Sequence, residues 1–129
     1  MMKSGVYKDR PRYLNLLKIK LPITGIVSIT HRISGIMLIL SIPFCAYLLE
    51  MSLHNAVGFN TVTQQLAQPL TKVILGIGLW SLAHHLFAGV RFLLFDIDVG
   101  VRKPSARMAA WLVIVFDVVA LVAIAGWLL

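Results

Sequence analysis

The residue best suited to chemistry in this chain is His85, which lies in the middle of a long uncharged run. That run extends from Val73 to Leu94, and Arg91 is its only charged residue. An imidazole at such depth in a membrane helix is costly without a partner, so ionisable residues there are functional candidates. The partners open to it are another polar side chain, a proton path or a metal ion.

A stripe of small residues runs along the helical face that His85 would occupy. The stripe consists of Gly78, Ser81, His85 and Gly89, which share one side of an α-helix. Haem requires an axial nitrogen and room for a porphyrin beside the backbone, and this face offers both. His84 is predicted to be a bystander, because its own stripe is bulkier. That stripe consists of Ile77, Trp80, Ala88 and Arg91.

A second group of polar residues opens the first apolar run. It consists of Ser28, His31, Arg32 and Gly35, which lie on one helical face near the edge of the bilayer. A hydroxyl, an imidazole and a guanidinium that face one way can bind carbonyl or carboxylate oxygens. In the alternative interpretation, Arg32 extends to lipid phosphates and His31 is merely interfacial. These residues alone leave both interpretations open.

Both groups must be positioned by membrane-spanning helices. The three long apolar runs are Ile23–Leu49, Val73–Phe95 and Met108–Leu129. Crossing a bilayer takes about 20 residues, and a helix satisfies its own backbone hydrogen bonds in lipid. The chain is 59% hydrophobic and only 13% charged, which is unusual for a soluble domain. We predict an all-α protein with one membrane domain over residues 1–129 and three transmembrane helices.

The basic residues behind the net charge of +7 are distributed unevenly along the chain, and this pattern indicates the orientation of the chain in the membrane. Lys and Arg precede the first run at Lys3, Lys8, Arg10, Arg12, Lys18 and Lys20, and separate the other two at Arg102, Lys103 and Arg107. The connection from Ser52 to Thr71 contains neither residue type. The positive-inside rule therefore predicts a cytoplasmic N-terminal segment, residues 1–22, and a periplasmic C-terminus. Nucleic acid is not an expected partner, because the aromatic residues lie in the apolar runs and not among the basic residues.

The cysteine count and the N-terminal sequence limit which cysteine-based sites and which cellular membranes are possible. Cys45 is the only cysteine, which excludes an internal disulfide, a four-cysteine iron–sulfur site and a C-x-x-C-H haem attachment. The N-terminus is not rich in arginine and serine as transit peptides are, which favours a bacterial inner membrane over an organelle.

Two segments of the chain resemble motifs of one protein family. Arg10-Pro11 and Pro22–Gly35 (PITGIVSITHRISG) resemble the first-helix signature of the cytochrome b subunit of succinate dehydrogenase, the large membrane anchor of respiratory complex II. His85–Arg91 (HLFAGVR), followed by Asp96, resembles that family's second-helix haem motif. Because both motifs occur in the family's order and on the corresponding helices, the resemblance extends over nearly the whole chain.

The resemblance implies a subunit that is not catalytic on its own. It would pair with a second, smaller anchor subunit, and together they would hold an iron–sulfur subunit and a flavoprotein subunit that oxidises succinate. His85 would be one axial ligand of a shared haem b, the partner anchor would supply the other, and Gly89 would leave room for the porphyrin. Ser28 and Arg32 would line the ubiquinone site, with His31 and Arg32 near the haem propionates.

Three features depart from the family pattern or stay open. Many relatives carry a histidine where this chain has Phe92, so any haem-edge role of that histidine is absent or moved. Arg91 could pair with a propionate or with Asp96. Asp117, in the third apolar run, is expected to have a polar partner more readily than to relay protons.

Two other functions fit parts of the sequence pattern. A fumarate reductase anchor would work in the opposite direction, with a low-potential quinone. A small non-redox transporter or channel subunit would bind no haem.

Overall fold

The computed structural model describes residues 20–128, which form helices joined by short connections. The helices are α1 (Ile23–His54), α2 (Ala56–Ala67), α3 (Pro69–Asp96) and α4 (Lys103–Leu128). No strand occurs within the described residues. Helices α1, α3 and α4 are each long and apolar enough to cross a membrane, which confirms the prediction of an all-α protein with three transmembrane helices. Residues 1–19, with most of the basic N-terminal segment and Arg10-Pro11, lie outside the described residues, as does Leu129.

The three long helices extend beyond the apolar runs that predicted them. Helix α1 continues past Leu49, α3 begins before Val73, and α4 begins before Met108. Backbone hydrogen bonds continue a helix on either side of the hydrocarbon layer, whereas apolar composition marks only the part inside it. Helix α3 ends just before Asp98 and Gly100, which adopt left-handed φ angles of 60° and 80°.

The connection predicted between the first two spans contains a helix of its own. The side chain of Asn55 caps α2 by accepting a hydrogen bond from the backbone N–H of Gly58 at 2.7 Å, and such caps favour helix initiation. A Cβ at Gly58 would clash with the carbonyl oxygen of Met51, so glycine lets α2 fold back onto α1. Pro69 then begins α3 at a position where its missing N–H is not needed. These caps were present in the sequence, but the prediction treated the segment as an uninterrupted loop.

Helix α3 packs against both α1 and α4 and carries most of the buried polar residues. The apolar core is small and consists of Val27, Ala88, Ala110 and Val113. The buried residues of α3 are Ser81, His84, Ala88 and Arg91. Most large aliphatic side chains point outward, as lipid permits, because lipid tails are as apolar as leucine. The inward stripe of α3 is therefore centred on His84, whereas His85 lies at its edge toward α1.

Candidate functional site

The imidazole of His85 is oriented by the backbone and a hydroxyl of α1. Its Nδ1 atom lies 3.2 Å from the carbonyl oxygen of His31 and 3.2 Å from Oγ of Ser34. The hydroxyl of Ser34 already donates its own hydrogen to that carbonyl at 2.8 Å, so both neighbours of Nδ1 accept. In the neutral imidazole this arrangement favours the tautomer with the proton on Nδ1, which leaves the lone pair on Nε2. A histidine that ligates a metal commonly has this arrangement, with the other ring nitrogen donating to a carbonyl.

Two glycines, one on each helix, make room for two histidines. A Cβ at Gly35 would lie 3.1 Å from Cε1 of His85, and a Cβ at Gly89 would lie 3.5 Å from Nε2 of His31. The two imidazoles stack with their centroids 4.1 Å apart and their planes 11° apart. The space beside Gly89 is thus occupied by His31, and only Gly78 in the predicted stripe has open space beside it.

The predicted quinone-binding residues lie beside this histidine pair. Ser28 and Arg32 lie one helical turn apart on α1, on the flank adjoining His31. Ser28 is half-buried and Arg32 is exposed. Within residues 20–128 the Ser28 hydroxyl makes no hydrogen bond, whereas those of Thr30 and Ser34 donate to carbonyl oxygens of their own helix. Among the described residues, neither polar group has a hydrogen-bond or ion-pair partner.

Arg91 is buried, with 5% of its surface exposed, and few polar atoms of the described residues stabilise its charge. Its guanidinium carbon lies 4.5 Å from the ring centroid of Phe95 and 5.3 Å from that of Phe92. Its Nε and Nη1 atoms find no hydrogen-bond partner among the described residues, and no ion pair joins it to Asp96 there. Cation–π contacts stabilise the charge in part, but Nε and Nη1 stay without a hydrogen-bond partner among the described residues.

Phe92, the position at which the chain departs from the motif it resembles, packs into the same cluster. Its ring contacts His31 in a tilted arrangement with a centroid distance of 5.2 Å. It therefore covers His31 with an apolar surface and supplies no polar atom there.

His84 has a definite partner that the sequence prediction did not identify. Its Nδ1 lies 2.6 Å from Oδ2 of Asp117 on α4, and both residues are buried. The expectation that Asp117 has a polar partner is confirmed, and the prediction that His84 is a bystander to haem stays a prediction. A buried carboxylate and the remaining histidine on the facing helix were the available signal, but helix rotation could not be fixed from sequence.

The described side chains do not assemble a multi-residue metal site. No group of three or more histidine, cysteine or acidic residues comes together within residues 20–128. Haem differs from such sites because the porphyrin supplies four ligands, and the protein needs to provide only axial nitrogens. His85 is the residue in this cluster whose Nδ1 is held by α1, which leaves its Nε2 for that role.

The fold and this polar cluster define a membrane-spanning bundle with a histidine centre, and comparison with known proteins assigns its family. A family model for the succinate dehydrogenase/fumarate reductase transmembrane subunit matches residues 7–124. The chain belongs to this family, and its role is that of a non-catalytic membrane anchor of the enzyme complex.

Three relatives illustrate the similarity. The succinate dehydrogenase cytochrome b556 subunit of Coxiella burnetii is 36% identical over 92% of this chain and 96% of its own length. The cytochrome b556 subunit of Paracoccus denitrificans is 29% identical over 86% of this chain and 85% of its own length. The succinate dehydrogenase hydrophobic membrane anchor subunit of Archaeoglobus fulgidus is 32% identical over 60% of this chain and 66% of its own length. The family match does not favour the transporter or channel alternative.

Proposed function

We propose that this chain is the cytochrome b-type anchor of a bacterial succinate dehydrogenase, which binds haem b and helps to form the site of quinone reduction. The observation that carries the proposal is the orientation of His85. Its Nδ1 is held by the His31 carbonyl and the Ser34 hydroxyl, which leaves Nε2 as the ligating atom. Bound haem would supply a one-electron carrier within the membrane part of the complex.

The second axial ligand is proposed to come from the partner anchor subunit. His31 stacks face to face on His85 at 4.1 Å, so their nitrogens cannot approach one iron from opposite sides. His84 is paired with Asp117 on the other side of α3, and His54 ends α1 at the far end of the bundle. A six-coordinate haem with two histidines therefore requires a chain other than this one.

The haem propionates are proposed to lie near cationic side chains of this chain. Arg91 is the strongest candidate, since its buried Nε and Nη1 atoms lack partners within the described residues and charge-assisted hydrogen bonds to carboxylates are strong. His31 and Arg32 are the further candidates on α1. Gly89 lies against His31 and not beside open space, so we propose that it acts on haem through that ring, which a larger residue would displace.

The haem proposal is tested by the absorption spectra of two assembled variant complexes. His85→Ala is expected to lose or alter the haem b spectrum, because it removes the proposed ligand. The matched control replaces the neighbouring pair together, His84→Leu with Asp117→Leu, so that no lone polar group stays buried. The control is expected to keep the wild-type spectrum. A normal spectrum for His85→Ala, with loss in the control, would contradict the assignment.

Ser28 and Arg32 are proposed to bind the quinone as it is reduced. Negative charge develops on the quinone oxygens before protons arrive, and a cation with a hydroxyl beside it stabilises that state more than the neutral ground state. Arg32 is exposed on α1 and Ser28 lies one turn before it, so both can reach a ligand outside the bundle. The iron–sulfur and flavoprotein subunits would deliver electrons to this edge from the cytoplasm.

Activity with two electron acceptors tests the quinone proposal. Arg32→Ala and Ser28→Ala are expected to lower succinate–quinone activity, while succinate oxidation by an artificial acceptor on the soluble subunits continues. Ser52→Ala is the control, since it removes an exposed hydroxyl at the other end of α1. Copurification of all subunits is measured alongside. Normal quinone reduction by both assembled variants would show that the quinone binds elsewhere.

The direction of turnover and the orientation complete the proposal. The relatives described above carry succinate dehydrogenase names, which favours succinate oxidation over fumarate reduction; ubiquinone is the electron acceptor that we propose. Lys20, Arg102, Lys103 and Arg107 lie at one end of the bundle and are exposed, whereas α2, at the opposite end, contains no charged residue. We infer that this basic end faces the cytoplasm of a bacterial inner membrane.

A further inference from the structure

Ser34 is a buried hydroxyl on α1 that faces the proposed haem ligand on α3. It is 1% exposed, and its Oγ lies 3.2 Å from Nδ1 of His85. A buried serine inside a helix commonly bonds to a carbonyl of the preceding turn, and Ser34 does so by donating to the carbonyl oxygen of His31 at 2.8 Å. The contact with His85 is therefore additional to the bond that satisfies the buried hydroxyl.

The direction of these bonds makes Ser34 an acceptor toward His85. A hydroxyl has one hydrogen and two lone pairs. The hydrogen of Ser34 lies on the shorter contact, with the carbonyl oxygen of His31, so a lone pair faces Nδ1 of His85. That carbonyl oxygen is itself 3.2 Å from the same Nδ1. Two acceptors on α1 therefore face one N–H group.

This double contact distinguishes Ser34 from other hydroxyls of α1. Thr30 and Ser41 also donate to carbonyl oxygens of their own helix, Thr30 at 3.0 Å and Ser41 at 2.7 Å. A bond to the preceding turn is thus the ordinary state of a hydroxyl on this helix. Among the hydroxyls that the structure describes, only that of Ser34 contacts a histidine.

An acceptor on Nδ1 changes what His85 offers at its other ring nitrogen. A hydrogen bond that draws on the Nδ1 proton raises the basicity of an imidazole as a metal ligand. A more basic axial ligand stabilises ferric over ferrous iron, and hydrogen bonding around the ligand is one means by which a protein sets a haem potential. The membrane core contains no bulk water to replace a lost acceptor, so each acceptor on α1 affects the potential.

We propose that Ser34 is a positioning residue that holds the Nδ1–H group of His85 and thereby lowers the reduction potential of the bound haem. The inference rests on the proposed haem function of His85 and adds to it the residue that tunes the ligand. Ser34 acts through His85 and does not touch the iron. Removal of its hydroxyl would leave Nδ1, among the described residues, with the His31 carbonyl alone, so the imidazole would become a weaker electron donor.

A redox titration of the haem in the purified complex tests this proposal. Ser34→Ala is expected to raise the midpoint potential by up to about 59 mV, because loss of one hydrogen bond changes an equilibrium constant by up to about tenfold. Ser41→Ala is the matched control, since the Ser41 hydroxyl also donates to a carbonyl of its own helix, and its potential is expected to equal that of the wild type. An unchanged or lowered potential for Ser34→Ala, or an equal rise in the control, would overturn the proposal.

Two further variants separate the hydroxyl from the packing of the site. Threonine and valine have nearly the same shape, and only threonine keeps a hydroxyl that can bond to the preceding turn. Ser34→Thr is therefore expected to have a lower potential than Ser34→Val, and equal potentials would contradict the role of the hydroxyl. If these variants lose haem, the rate of haem transfer to apomyoglobin is compared instead: slower loss from Ser34→Thr than from Ser34→Val supports the proposal, and equal loss overturns it.

His85→Ala separates failure of this proposal from failure of the haem function. A normal haem spectrum in that variant would refute the ligand assignment itself. Loss of haem in His85→Ala, together with a wild-type potential in Ser34→Ala, would leave the ligand assigned and overturn only the role of Ser34.

Discussion

Substitution of Gly35 by alanine is expected to weaken haem binding through contact with His85. The new Cβ would lie 3.1 Å from Cε1 of that imidazole, closer than the ~3.5–4.0 Å that two carbons prefer. Retreat of the ring would lengthen the contacts of Nδ1 with the His31 carbonyl and the Ser34 hydroxyl, each 3.2 Å long. The substitution therefore acts on the orientation of the proposed ligand without removing it.

The expected loss of haem affinity in Gly35→Ala can be estimated from the free-energy cost of overpacking. An extra methyl in a packed site costs about 1–3 kcal/mol, which corresponds to about five- to 150-fold in an equilibrium constant. Helix propensity acts in the opposite direction, since alanine is favoured over glycine in a helix by about 1 kcal/mol. That gain contributes to folding and not to the ligand, so haem affinity is expected to fall while the thermal stability of the haem-free protein changes little.

The assay is the rate of haem transfer from the purified complex to excess apomyoglobin. Gly78→Ala is the matched control, because it lies in the proposed stripe of α3 and a Cβ there would meet nothing within 4 Å. Gly35→Ala is expected to lose haem faster than both the control and the wild type. Equal rates for all three proteins, or faster loss from Gly78→Ala, would refute the packing argument.

Three further outcomes are expected. Arg91→Leu should lower the midpoint potential of the haem in a redox titration, because a nearby positive charge stabilises the reduced form; an unchanged potential would place Arg91 away from the haem. Asp117→Ala should lower the free energy of unfolding by about 1–3 kcal/mol, because His84 loses its buried partner. Asp117→Asn keeps an acceptor and should lower it less. Equal losses for the two variants in thermal unfolding would mean that the bond contributes little. Reporter fusions near Lys103 should be cytoplasmic and fusions after Leu128 periplasmic; the reverse would invert the proposed orientation.

The fold could be predicted from the sequence because length and apolarity decide which segments span a bilayer. Each of the three apolar runs corresponds to a helix that is long and apolar enough to span a bilayer, and these helices begin or end beyond the runs. Helix α2 was missed because its signals are local caps: Asn55 at its start and Pro69 after its end. Val62 of α2 is buried because that helix folds back against α1. The hydropathy of the sequence does not predict such a contact.

The composition of the polar cluster was predicted better than its geometry. The motif spacing identified His85, His31 and Gly89, and the structure brings the two histidines into contact. Pairwise packing across helices was not predictable, because it depends on how far each helix is rotated about its axis. A rotation of about 100°, the angle between successive residues of an α-helix, decides whether His84 or His85 faces the interior. Asp117 on α4 meets His84, and this buried bond favours the observed rotation.

The most direct test of the central claim is the absorption and electron paramagnetic resonance spectrum of the wild-type complex, purified through a tag on this chain. We expect low-spin, six-coordinate haem b with two histidine ligands, at one haem per copy of the chain, because His85 supplies one axial nitrogen and the partner anchor the other. A complex that contains all its subunits but no haem, or a high-spin haem with one histidine ligand, would contradict the account.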